Sequence, residues 1–404
     1  MKTRIWMATL VVPLASTLFT TLAAPARADA ITDWNQRSAQ FIGEARIGTP
    51  PAVRVMALVQ TAALEAAREA VRAGSPPPHA VDAAVAGAHR AALSQLLPTQ
   101  RSAIDTAVQT ALASLPDDAV RARHLAAGER AAQRVLAARA GDLPGGADTY
   151  RPHATPGVYV PTAQPAVPQW SQRKPWLLQR ADQFRPAAPP ALNSALWARD
   201  YNELKVMGGR DSKQRSAEQT DIARFWDYSL PAIYHGVVRS VAQQPGRDVL
   251  ANARLFALVS QAMDDALIAV MDAKYHHELW RPVTAIRNGD LDGHDGTERE
   301  AGWAPLIDTP MHPEYPCAHC ILAGTVAKVI NAEAQKAPLP MLSTTSATLP
   351  GVVRRWNSPE DFMHEVALAR IHGGVHYRNS TEVGLAMGRR IGEWALQRSA
   401  AAEQ

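Results

Sequence analysis

Apolar positions in this chain recur at intervals of three and four residues, and the pattern predicts helices almost from end to end. Thr49, Pro50 and Pro51 open a helix whose Val53, Met56, Ala57 and Leu64 share a face; Gly74, ahead of Ser75 and three prolines, closes it. Alanine-rich helices are expected over 80–97, 99–114 and 117–140, separated by Pro98 and by Leu115-Pro116-Asp117. Periodicity then stops. Residues 141–193 are rich in Pro and Gly, with Trp170, Trp176 and Phe184 among them, which predicts an irregular segment wrapped onto the body. Helices resume over 194–207, 212–227 and 231–244. The strongest pattern runs from about Asp248 to Leu279, where Leu255, Leu258, Val259, Ala262, Met263, Leu267 and Val270 form one stripe. A helix of that length is about 45 Å long, enough for the spine of a bundle. A glycine-bearing loop over 283–312 follows. A helix then runs to about 336, a Pro- and Thr-rich loop comes next, and helices over 358–372 and 380–400 close the chain. No alternating strand pattern of useful length occurs. The fold class is all-α, a helical bundle, read as one domain over 31–404.

Composition alters this picture mainly at the N-terminus. Lys2 and Arg4 precede an apolar run from Ile5 to Leu22, and Ala26-Arg27-Ala28 offers a small-residue cleavage site, so residues 1–28 read as a signal peptide. The mature protein is expected to be exported, periplasmic or secreted, with no stable membrane span. Losing Lys2, Arg4 and Arg27 takes 42 basic residues to 39 against 38 acidic ones, so the apparent basicity vanishes and nothing calls for nucleic acid. The two cysteines, Cys317 and Cys320, exclude a disulfide scaffold. The sequence leaves the oligomeric state open, a homo-oligomer included.

Candidate chemistry lies within 248–395. His312-Pro-Glu-Tyr-Pro-Cys-Ala-His-Cys320 leads through two prolines straight into an apolar helix, which points partnerless N–H groups of Cys317, Ala318 and His319 at one spot. Such a terminus favours an anion. Lys274 and Arg281, seven apart near the end of the spine helix, project two turns apart from one face, and Lys274 continues its apolar stripe. An unpaired buried cation is costly, so an anionic partner is called for, although snorkelling at a helix end explains both residues too. Arg370-Ile-His-Gly-Gly-Val-His376 sets an Arg and a His around a glycine turn, which fits either backbone close to a ligand or an ordinary glycine C-cap.

Taken together, Lys274 to Arg281-Pro282, Pro316-Cys-Ala-His319 and Arg370 to His376 resemble the three-part signature of the type 2 phosphatidic acid phosphatase and vanadium-dependent haloperoxidase superfamily, closest to its secreted haloperoxidase-like branch. The resemblance extends over about 194–395. It implies a helical bundle of that type in which Lys274, Arg281, Arg370 and the Ala318 N–H bind the oxygens of vanadate or phosphate. Cys317 takes the place of the family's Ser, and Ala318 that of its Gly. His376 would ligate vanadium or form a phosphohistidine, and His319 would serve as acid–base. The implied partners are small molecules: halide and peroxide with vanadate as cofactor, or a phosphate ester with none.

Halide oxidation is the first expectation and acid phosphatase or pyrophosphatase activity the alternative. Three further readings fit single motifs. Cys317-x-x-Cys320 is spaced as a thiol–disulfide redox motif and allows a disulfide. Cys317, Cys320, His372 and His376 have zinc-like spacings, against which three nearby cations count. A helical binding protein without catalysis is the last. In the phosphatase branch an acidic residue commonly follows the final His by four; here that position is Ser380.

Overall fold

A computed structural model describes residues 29–72, 74, 76–142 and 150–403. The leader-like segment 1–28 lies outside the described residues, as do Ser75 and positions 143–149 of the irregular segment. Thirteen helices appear among the described residues. The N-terminal group is α1 (Ala30–Glu44), α2 (Thr49–Arg72), α3 (Pro78–Leu96), α4 (Arg101–Ala113) and α5 (Ala119–Ala138). Then come α6 (Ala195–Gly208), α7 (Ala217–Phe225), α8 (Pro231–Ala242), α9 (Val249–His277) and the short α10 (Pro282–Arg287). Helices α11 (Ala318–Ala334), α12 (Pro359–His372) and α13 (Arg378–Glu403) complete the bundle. The all-α expectation holds. Helix α1 went unpredicted; it starts where the Asp29 carboxylate accepts from Thr32 N–H, and it buries Ile31, Trp34 and Ile42.

Helix α9 is the spine. Its Leu255, Val259, Ala262, Met263, Ala266 and Val270 are buried, and it packs on α2 on one side and on α11 and α13 on another. The stripe ends at Lys274, which has no exposed surface. The helix stops at Glu278, in the left-handed region at φ 50°, so Arg281 belongs to the next element as the N-cap of α10. The expected shared helical face for Lys274 and Arg281 is therefore not formed, and Pro282 begins a helix instead of ending one.

Two other differences concern short elements. Leu342–Thr345 (β1) and Val353–Trp356 (β2) pair antiparallel, Leu342 opposite Trp356, in the stretch expected to be a loop. Four-residue strands are too short to print an alternation, but Leu342, Thr344 and Trp356 are buried and the ribbon closes against α8 and α12. The irregular segment is fastened to α9 by a buried polar cluster. The Asp265 carboxylate accepts from the backbone N–H of Trp176, Leu177 and Leu178, at 2.6, 2.7 and 2.9 Å. Asp264 accepts from Trp176 Nε1 and from Arg54, which also pairs with Asp142.

Close helix contact is achieved with glycine. Along α13, Gly384, Gly388 and Gly392 recur every fourth residue, and a Cβ on them would lie 2.7 Å from Cys317 O, 2.2 Å from Ile321 O and 2.8 Å from Thr325 O of the α11 segment. Side chains would force these helices apart, so α11 is held by backbone-to-backbone contact.

Candidate active site

The site assembles where three chain segments meet at the N-terminus of α11. Cys317 is its N-cap: Sγ accepts from Cys320 N–H at 3.3 Å, and the Cys317 N–H donates to Ser380 O. Both cysteines are free and buried in this structure, with Cys317 Sγ acting as a cap. Ala318 is the first helical residue, and its N–H has no partner within the helix. His319 stands next to it with Nε2 enclosed and without a hydrogen-bond partner.

Arg370 ends α12 and is 1 % exposed. One of its terminal nitrogens donates to Trp226 O at 2.8 Å, while its Nε has no partner. After it the chain turns through Gly373 and Gly374. Gly374 has φ +79° and lies against Gly208 O, where a Cβ would come within 2.3 Å, so only glycine serves. The turn delivers His376. Its Nδ1 lies 2.7 Å from Glu314 Oε1, which also accepts from Tyr377 N–H. With Nδ1 donating to this carboxylate, the Nε2 lone pair is left to face Arg281, 3.4 Å away.

Lys274 and Arg281 hold the approach loop. Lys274 Nζ donates to Pro313 O at 2.9 Å and Glu314 O at 2.7 Å, using two of its three hydrogens. The Arg281 guanidinium donates to His312 O, Val375 O and His312 Nδ1, all within 2.9 Å, and so ties the Pro-Glu-Tyr-Pro loop to the loop bearing His376.

These groups open onto a cavity of about 450 Å³ lined in part by His312, Ala318, His319, Arg370 and His376. Lys274, Arg281 and Cys317 are not among its lining residues and stand one layer behind. His372, offered above as a zinc ligand, does not line it either, and among the described residues no cluster of three or more His, Cys, Asp or Glu is placed to hold a metal ion. Sequence reasoning missed Glu314, His312 and Asp227, the last also lining the cavity. A glutamate between two prolines on the approach was the one available signal.

The electrostatics describe a site short of an anion. Burial, then the charges of Arg370, Lys274 and Arg281, hold His319 well below the ordinary imidazole range. Burial and the same three cations do so for His376. Burial and Arg281 push Lys274 far down, and burial lowers Arg281 to about 10. Burial raises Glu314 to about 7 even though Lys274 and Arg281 oppose it. For Cys317 burial acts upward, yet the hydrogen bond with Cys320 and the charge of Arg370 leave the thiol lowered. Lys274, Arg281 and Arg370 crowd one space, with Glu314 beside the first two and Asp227 beside the third, and each cation suppresses its neighbours' protons. A compact tetrahedral oxyanion fits these donors: the unpartnered Arg370 Nε and the α11 N-terminus lack the acceptor it supplies, and a protonated oxygen of the same anion can donate to the enclosed His319 Nε2.

Comparison with known proteins bears on the fold that holds this site. Residues 254–403 match the VCPO second helical-bundle domain. Vanadium chloroperoxidase of Curvularia inaequalis is 26% identical over 292 residues, 56% of this chain and 48% of that protein, so the chain spans about half the length of the curated relative it matches. In fold, the chain is similar to a bacterial vanadium-dependent iodoperoxidase, at a TM-score of 0.75 and 23% identity, over 92% of this chain and 96% of that one. A holo-type bacterial vanadium-dependent chloroperoxidase superposes at 0.71 with 19% identity, over 88% and 93% of the two chains. By sequence residues 254–403 are similar to the VCPO second helical-bundle domain, and by fold the chain as a whole is an all-α bundle similar to those of vanadium haloperoxidase structures.

Proposed function

We propose that this chain is an enzyme that oxidises halide with peroxide, using vanadate held at the α11 N-terminus. The observation that carries the reading is the pair of enclosed, unpartnered atoms Arg370 Nε and His319 Nε2 beside a His376 whose Nε2 lone pair is freed by Glu314. Vanadate would be held by Arg370 and the Ala318 N–H, with His376 Nε2 as its ligand and Lys274 and Arg281 supplying charge from behind. When bound, it supplies a Lewis-acid centre that activates peroxide toward a halide. His319 holds or gives up a proton at Nε2 next to that centre. Arg281 and Lys274 keep the His312–Pro316 approach in place, and the Glu314 carboxylate fixes the His376 ring. The leader-like residues 1–28 put this activity outside the cytoplasm in the same proposal.

One observation favours phosphate-ester hydrolysis as a second reading. Ser380 stands where the phosphatase branch often has an acid, but Glu314 supplies a carboxylate to His376 Nδ1 from another loop, as a nucleophilic histidine needs. The test is direct. Vanadate-loaded protein is assayed for bromination of a dye with bromide and peroxide, and vanadate-free protein for hydrolysis of a nitrophenyl phosphate. Bromination is expected, and His319→Ala is expected to lower it on the order of 10²–10⁴-fold. Turnover confined to the phosphate ester would overturn the first reading.

A further inference from the structure

The chain has two cysteines in all, Cys317 and Cys320, and both stand at the start of α11, one layer behind the cavity. Cys317 Sγ lies 3.3 Å from the backbone nitrogen of Cys320, and the Cys320 thiol is hydrogen-bonded to the same sulfur. A Cβ on Gly384 would sit 2.9 Å from Cys320 Cβ and 3.4 Å from Cys317 Cβ, so both cysteines converge on one point of α13. Residues three apart on a helix hold their Cβ atoms about 5–6 Å apart and a disulfide needs about 3.5–4.5 Å, so closing the bond asks for a shift on the order of 1–2 Å at the cap. The surroundings are light: Ala367 and Leu385 complete a small apolar cluster with the pair, apart from the main core.

Neither sulfur has exposed surface, which shuts out any protein oxidant. A small neutral oxidant is another matter. Ala318, next to the cap, lines the cavity with a single methyl group, and the cavity is where the proposed reaction brings peroxide. Burial opposes ionisation of Cys317, but the Cys320 hydrogen bond and the charge of Arg370 outweigh it, which favours the nucleophilic thiolate. The Ala318 N–H offered to the oxyanion belongs to the peptide unit that follows Cys317. Drawing the cap toward Cys320 therefore turns that donor.

We propose that Cys317 and Cys320 are a peroxide-oxidised dithiol: hydrogen peroxide entering the cavity converts them to a disulfide, and the bond lowers the affinity of the α11 N-terminus for an oxyanion. This rests on the halide-oxidation reading for the presence of peroxide. The step balances. Cys317 sulfur attacks one peroxide oxygen, the O–O bond breaks, and hydroxide leaves with the Cys317 proton as water. Cys320 sulfur then displaces the sulfenic hydroxyl, which leaves with the Cys320 proton as a second water. The two sulfurs lose two electrons and peroxide gains them. Halide and dithiol thus compete for one oxidant, and the site shuts when peroxide outruns halide.

Reduced, vanadate-free full-length protein is treated with hydrogen peroxide, denatured, alkylated and analysed by mass spectrometry. A bond between Cys317 and Cys320 is expected, with neither sulfur alkylated until a phosphine is added. Cys320→Ala is expected to stop at a Cys317 sulfenic acid that dimedone traps. Inorganic phosphate, titrated calorimetrically, should bind about tenfold more weakly after peroxide and regain its affinity with the phosphine. Cys317→Ser keeps an oxygen at the cap, and its phosphate affinity should not respond to peroxide. Met271 in the cavity meets the same oxidant in both proteins, so this variant separates the dithiol from thioether damage. Thiols still alkylated after peroxide, phosphate affinity unmoved by the bond, or an equal loss in Cys317→Ser would each overturn the proposal. A peroxide-formed bond in vanadate-loaded protein that oxidises no halide overturns the halide reading alone; halide oxidation with both thiols free under excess peroxide overturns the dithiol alone.

Discussion

At the scale of single residues, the site is written in suppressed protons. His319, His376 and Lys274 are all held below their ordinary values by burial and by one another's charge. An oxyanion bound among them reverses the sign of that field, so the bound state holds more protons than the free state. Linkage then requires affinity to rise as pH falls, until the anion itself protonates. Sulfate, which keeps its double charge over this range, should therefore bind more tightly at pH 6 than at pH 8, with proton uptake visible by calorimetry in buffers of different ionisation heat. Affinity independent of pH would remove the coupling. Arg370→Ala should cost about 2–5 kcal/mol of that affinity, since it removes a buried charge that has a free Nε. The cationic and histidine members of the site were legible only together, through the resemblance of their three motifs to a known signature, since each motif alone also fitted an ordinary helix end. Glu314 was not, because its role depends on a ring 62 residues away arriving at 2.7 Å.

At the scale of elements, the irregular segment was legible as something packed, through its aromatics, but its fastening was not. Asp264 and Asp265 look like a polar interruption in the α9 stripe, and only the folded chain shows them fully buried. Asp265, pushed up to about 7 by burial, accepts three successive backbone N–H groups. Asp265→Ala leaves those donors enclosed with no acceptor, a cost of about 1–3 kcal/mol for each such group before relaxation. Hydrogen exchange over 150–193 should accelerate markedly in this variant while α3 and α5 stay protected; uniform exchange would mean the segment is held otherwise. The short β1–β2 ribbon and the break at Glu278 were illegible for a different reason. Each depends on one or two residues, below the length at which a period can be read.

At the scale of the molecule, buried neutral histidine sets the acid limit of stability. His89 and His372 are lowered to about 4 and His235 to about 3, burial leading in each case, and burial also holds His312, His319 and His376 well below the ordinary imidazole range. Below pH 6.5 the unfolded chain takes up protons that the folded chain refuses, so the stability present above that value is lost as pH falls toward 4. Glu314 and Asp265, raised to about 7, act oppositely: their contribution is complete below the ordinary carboxylate values and fades as pH rises through 7. The histidines outnumber them. Anion-free protein should lose melting temperature steadily from pH 7 to pH 5, and phosphate should restore part of it; a flat or rising profile would contradict the balance.

The glycine ladder on α13 carries a practical consequence. Gly384, Gly388 and Gly392 touch successive turns of the segment whose first residue caps α11, and none of them lines the cavity. A single methyl group on any one is a shim behind the site, and its rung decides which end of α11 is lifted. The proposed oxyanion site can thus be displaced from the far side of the protein without replacing any side chain that lines it.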